Sequence, residues 1–179
     1  MMLLVVFAII FGIVCLDQLT KWLAFFLLQG EPSFPIWRGV LHLTYQTNRG
    51  AAFGMLSDSR WIFMITSTVA IVGILFYLIK YRPKNKWLVA SLAMIAGGGI
   101  GNMIDRIALG YVIDFIDFTL IDFAIFNVAD SFVTVGAGIM IVYLICDMIR
   151  DYRETKKKTA QASADAEADK SAEEEQENE

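Results

Sequence analysis

A single histidine, His42, and two cysteines, Cys15 and Cys146, are all the soft metal-binding chemistry this chain offers. Neither an HExxH nor a CxxC spacing occurs, so nothing supports a zinc centre, and no metal or cofactor is expected. The two cysteines lie near opposite ends of antiparallel apolar segments, which argues against a disulfide between them. Cys15 follows Val14, where a lipid-attachment cleavage box needs a small residue, so Cys15 reads as membrane filler. The first apolar run is not expected to be a secretory leader. It has no basic n-region, and it outlasts a leader's apolar core.

What is abundant is apolar surface. Of the 179 residues, 56% are hydrophobic, and the mean hydropathy is +0.54, too high for a soluble domain of this length. Four windows, at 2–28, 60–80, 87–107 and 127–149, reach the roughly 20 apolar residues that a bilayer crossing takes. The expected fold class is an all-α membrane protein with four transmembrane helices. Residues 1–150 form one compact membrane domain with loops at 29–59 and 108–126.

The charges orient it. The short loop "KYRPKNK" carries Lys80, Arg82, Lys84 and Lys86 with no acid, and Arg150, Arg153 and Lys156 to Lys158 follow the last window. The other two loops are poor in lysine and arginine for their length. Basic residues at helix ends stay in the cytoplasm, so both termini are expected there and loops 29–59 and 108–126 outside. Residues 151–179 form a basic-then-acidic cytoplasmic tail. Its last twenty-one residues hold eight acids, one lysine and no large apolar side chain, and are expected to be disordered and solvated. Those residues contribute −7 of the net −4, which leaves +3 on residues 1–158. The acidic isoelectric point therefore describes the tail, and no nucleic-acid partner is implied.

The outer loops carry pattern. Leu41, Leu43 and Tyr45 alternate with His42, Thr44 and Gln46, and period two argues for a strand. "NRGAAFG" follows. It is either a tight turn after a strand or a surface where a backbone approaches a ligand closely. "GYVIDFIDFTLIDF" is also strand-like, with Asp114, Asp117 and Asp122 among large apolar residues.

Polar residues inside the helices cluster by depth. Asp17 and Lys21, four apart, share a helical face and form a packing ion pair. At about 1.5 Å per residue Asp17 lies about 22 Å into the first helix, toward the outer side. Asn102 and Asp105 are three apart near the outer end of the third helix; Asn127 and Asp130 are three apart at the outer start of the fourth. Three helices thus place carboxylates at nearly one depth, which a shared site explains. Simpler roles exist for some of them. Arg106 neutralises Asp105 locally, and Asn127 caps the fourth helix. "GGGIG", Gly97 to Gly101, lies inside an apolar helix, where small residues permit close packing and no nucleotide is cradled.

Asp130 and the loop aspartates are left without a local cation. Two carboxylates brought together cannot both ionise, so the pair shares a proton. Such a pair activates water with one member and protonates a leaving amine with the other, with no metal and no covalent intermediate. A transporter or channel subunit is the competing class, but its polar residues belong near the midplane. A serine-type peptidase built on Ser131 and Lys21 fails because Asp17 already claims Lys21 and Ser131 points about 100° away from Asp130.

"DQLTK", "NRGAAFG", "GNMIDR", "YVIDF" and "FNVAD", in this order over residues 1 to about 150, resemble the lipoprotein signal peptidases (signal peptidase II). The resemblance implies an aspartyl endopeptidase of the bacterial cytoplasmic (inner) membrane with its active site near the outer face. It implies removal of the signal peptide from diacylglyceryl-prolipoprotein substrates, before the lipidated cysteine. It further implies a small extracytoplasmic β-cradle, contact with membrane lipid, a monomer, and inhibition by globomycin-type cyclic peptides. The family's catalytic aspartates map onto Asp114 and Asp130. Its supporting residues map onto Asp17, Lys21, Asn48, Gly50, Asn102, Asp105, Arg106, Asn127 and Ala129, with Asn48 and Gly50 toward the substrate backbone and the Asp105–Arg106 pair positioning the dyad. Asp114 rests on the motif; on physical grounds Asp105 is the second choice.

Overall fold

A computed structural model describes residues 2–50, 60–121 and 123–177. Side chains are described as far as residue 159, except those of Arg60 and Phe63. Helix α1 spans Met2–Leu28, α2 Arg60–Tyr81, α3 Lys86–Ala108 and α4 Val128–Glu177; strands β1 Phe34–Trp37, β2 Leu41–Asn48 and β3 Val112–Asp117 fall between them. The stretches Met2–Leu28, Met64–Tyr81, Lys86–Ala108 and Val128–Thr159 are each long and apolar enough to cross a membrane. Two compact units, Met1–Met140 and Ile141–Glu179, divide the chain.

In the first unit α1 buries a single stripe, Val6, Ile10, Ile13, Asp17, Lys21 and Ala24, at steps of three or four. Leu4, Phe11, Leu19 and Trp22 on its other sides are exposed, as suits a face that meets lipid. Helix α3 is the most enclosed, because its small residues let neighbours approach. A Cβ on Gly98 would strike the Ala129 carbonyl, and one on Gly101 would come within 2.6 Å of Asp17 Oδ2. The "GGGIG" stretch thus seats α4 and α1 on α3. Val6, Ile10, Leu78, Val89, Leu92, Ala93 and Ala96 form the core of the bundle. Asn85 starts α3 by accepting the Trp87 and Leu88 N–H groups.

The three strands form one antiparallel sheet in the order β1-β2-β3. The β2 register pairs Gln46 with Asp114 and Asn48 with Val112, so the end of β2 lies beside the start of β3. Leu43 and Tyr45, on the apolar alternation of β2, pack with Ala24, Ile113 and Phe115, which ties the sheet to α1. Gly110, at φ +83, turns the chain from α3 into β3 while its N–H donates to the Asp105 carbonyl.

The last residues depart from expectation. Composition predicts disorder after residue 158, but α4 continues as helix to Glu177. Alanine and glutamate dominate that segment, and both are strong helix formers.

Candidate active site

Asn127 organises the site. It caps α4: its Oδ1 accepts the Asp130 N–H (2.9 Å), and Asp130 Oδ2 accepts the Asn127 N–H (3.2 Å). The same residue turns its amide Nδ2 inward, donating to Asp114 Oδ1 (2.7 Å), Asn102 Oδ1 (3.0 Å) and the Ile113 carbonyl (3.3 Å). Capping and site-building are one arrangement, and Asn127 is fully buried.

Asp114 and Asp130 are held on either side of it. Asn48 Nδ2 donates to Asp114 Oδ2 (3.0 Å), and the Gly50 N–H fixes that amide by donating to Asn48 Oδ1 (2.9 Å). Asn102 Nδ2 donates to Asp130 Oδ1 (2.7 Å). Both carboxylates line one open cleft of about 330 Å³, together with Asn48, Gly50, Arg106, residues 123–126, Ser131, Thr134 and Val135. Burial, with the charge of Asp130 adding to it, pushes the Asp114 carboxyl up to about 7, against the Asn48 and Asn127 hydrogen bonds that favour its charged form. A carboxyl near 7 can hold and release a proton at neutral pH.

A second cluster lies behind the cleft. The Lys21 ammonium donates to Asp17 Oδ2 (2.8 Å), Asp105 Oδ2 (3.1 Å) and Asn102 Oδ1 (2.8 Å), using all three of its protons. Asp17 Oδ1 accepts the Ala129 N–H (2.9 Å) at the start of α4, and Asp105 Oδ2 accepts the Ile113 N–H (3.2 Å) just before Asp114. The ion cluster thereby fixes the two backbone segments that carry Asp130 and Asp114.

Sequence reasoning paired Asp105 with Arg106. The structure pairs Asp105 with Lys21 instead. Successive helical residues point about 100° apart, so Asp105 turns to Lys21 while Arg106 turns into the cleft. Arg106 donates to the Asn102 carbonyl (3.4 Å) and lies within electrostatic reach of Asp130, Asp114 and Asp105.

Gln18 was not singled out. Its amide reaches Asp105 Oδ1 (2.9 Å), the Gly101 carbonyl (3.2 Å) and Asp17 Oδ2 (3.3 Å). Its only signal was adjacency to Asp17 in "DQLTK". Asp117 lies outside the cleft and accepts from Thr44 Oγ1 (2.8 Å). Ser131 lines the cleft but donates to the Asn127 carbonyl (3.0 Å), and Lys21 is committed elsewhere. Asp122 and the Ala51–Gly54 part of "NRGAAFG" lie outside the described residues. No cluster of histidine, cysteine and acidic residues able to hold a metal occurs among the described residues.

Four helices are long and apolar enough to cross a membrane, and two carboxylates from different elements open onto one cleft at one end of the bundle, an arrangement that suits a membrane hydrolase. The relatives agree. Residues 9–146 match the family model described as signal peptidase (SPase) II, and the chain belongs to that family of aspartic peptidases. It is 44% identical over 149 residues to the lipoprotein signal peptidase of Halalkalibacterium halodurans, covering 82% of this chain and 92% of that one. It is 49% identical over 128 residues to that of Caldanaerobacter subterraneus subsp. tengcongensis, covering 72% and 87%. Among solved structures, a bacterial membrane enzyme determined by the in meso method at 2.3 Å resolution matches with a TM-score of 0.73 at 32% identity, over 80% of this chain and 89% of that one.

Proposed function

We propose that this protein cuts the signal peptide from diacylglyceryl-modified prolipoproteins just before the lipidated cysteine, with Asp114 and Asp130 as the catalytic pair. One observation carries the reading: the two carboxylates share a cleft and a common donor residue, Asn127, while the neighbouring acids Asp17 and Asp105 share the Lys21 ammonium outside it. Burial raises the Asp114 carboxyl to about 7, so this group can carry a proton near neutral pH. Asp130, at the positive end of α4, takes a proton from water as the water attacks the scissile carbonyl. Asp114 stabilises the developing oxyanion and then protonates the departing nitrogen. Arg106 and the three asparagines position the carboxylates, and Asn48 with Gly50 holds the substrate backbone.

Both termini lie in the cytoplasm, a reading supported by the basic α2–α3 link and by Arg150, Arg153 and Lys156 to Lys158 within α4. The sheet then forms an outer cradle, and the cleft opens near the outer face of the bacterial inner membrane. The acyl chains of the substrate stay in the bilayer, the enzyme works as a monomer, and globomycin-type cyclic peptides occupy the cleft.

Purified protein should cleave a lipidated precursor and leave its unlipidated form intact. Because the proton on Asp114 is needed, turnover should fall as pH rises through about 7. Equal cleavage of both precursors, or none of the lipidated one by folded protein, overturns the proposal.

A further inference from the structure

The strand ladder continues one step beyond β3. Phe126 N–H donates to the Ile116 carbonyl (3.0 Å), and the Ile116 (2.8 Å) and Phe115 (3.0 Å) N–H groups donate to the Phe126 carbonyl. Phe126 thus commits both main-chain groups to β3. The two residues before it do not: the main chain of Ala124 and Ile125 makes no hydrogen bond to any described residue. Both are half-buried and line the cleft that holds Asp114 and Asp130. Half-buried, unpaired main-chain groups are costly, and an unpaired edge is a template for another chain. Successive residues of an extended chain present their N–H and C=O to opposite sides, so one of the two turns these groups away from β3.

We propose that the substrate chain around the scissile bond docks as an added strand on the Ala124–Ile125 main chain. This rests on the hydrolysis proposed above. A peptide bond inside a helix has its carbonyl engaged four residues along, so the cleavage region must unwind before two carboxylates can reach it. Unwinding at a membrane surface strands main-chain groups, and strand pairing gives them new partners. Recognition of this kind reads the backbone and accepts many side chains.

The test scans lipidated synthetic precursors in which single amides, from three residues before the scissile bond to two after it, become esters. An ester removes the N–H and weakens the carbonyl acceptor. At one or more non-scissile positions KM should rise about 3–10-fold with kcat nearly unchanged. In the protein, Ala124→Pro and Ile125→Pro each delete one N–H, and one of them should raise KM for the all-amide precursor by a similar factor. If every non-scissile ester is cleaved with the KM of the amide, strand docking is wrong while hydrolysis stands, whether or not the proline variants fold. If no lipidated precursor is cleaved at all, both proposals fall.

Discussion

Two pairs of acids lie side by side in this protein and live under different rules. Asp17 and Asp105 are buried outside the cleft and share the Lys21 ammonium. Their remaining partners are the Ala129 and Ile113 N–H groups and the Gln18 amide. Asp114 and Asp130 open onto a cleft and are bonded by the side-chain amides of Asn48, Asn102 and Asn127 and by one backbone N–H. An ammonium in direct contact favours the charged form of a carboxylate and ties it into the scaffold. Neutral amides orient a carboxylate and leave its proton negotiable. Acids at one depth thus divide into a scaffold and a reactive pair by the kind of donor that holds them.

The largest expected effect lies in the open pair. Asp114→Asn and Asp130→Asn each keep the size and much of the hydrogen bonding but cannot cycle a proton. General acid–base steps are worth about 10²–10⁴-fold, and each variant should lose at least that much turnover on lipidated precursor. The double variant should lose little more, because the two groups act as a unit. Both proteins should melt in detergent near the parent. An active, folded Asp114→Asn would move the chemistry to Asp105.

The closed cluster should break in the opposite way. Lys21→Met leaves two buried carboxylates without their cation, at a cost of about 3–5 kcal/mol. The yield of folded protein and the melting temperature should drop sharply. Adding Asp17→Asn and Asp105→Asn to that variant should recover part of the loss, since no charge then remains in that cluster. Normal melting of Lys21→Met with abolished turnover would erase the distinction between the two pairs.

The sequence made one side of this contrast easier to read than the other. The four spans are legible because each is a continuous apolar run, and β2 because Leu41, Leu43 and Tyr45 keep period two. The Asp17–Lys21 pair is legible because it is local, four residues along one helix. The partner of Asp105 was misread because the true contact spans 84 positions, from Lys21 to Asp105, while Arg106 is the next residue. Helical direction outweighs adjacency, and only the crossing of α1 on α3 reveals it. Asn127 was read as a cap or as a site residue; its Oδ1 does the first and its Nδ2 reaches Asp114. The choice of Asp114 over the other loop acids came from motif resemblance, and its register against β2 supplies a geometric reason. Gln46 is its direct partner and Asn48 lies two residues along β2 on the same face, so the Asn48 amide reaches its carboxylate.

The smallest effect is expected at Asp117, a third kind of acid. It shares β3 with Asp114 but lies three residues on, and an odd separation on a strand places the side chain on the opposite face. Its carboxylate accepts from Thr44 Oγ1 (2.8 Å), whose oxygen also contacts Ser33 Oγ (2.7 Å), in a network outside the cleft. Asp117→Asn keeps an acceptor for Thr44 and removes only a charge that no step uses. Stability should change by no more than about 0.5 kcal/mol, as for most surface substitutions. Turnover of lipidated precursor should match the parent at equal amounts of folded protein, and its fall above pH 7 should be unmoved. A loss approaching that of Asp114→Asn would mean that the reactive group extends along β3 and that the donor rule separating the acids is incomplete.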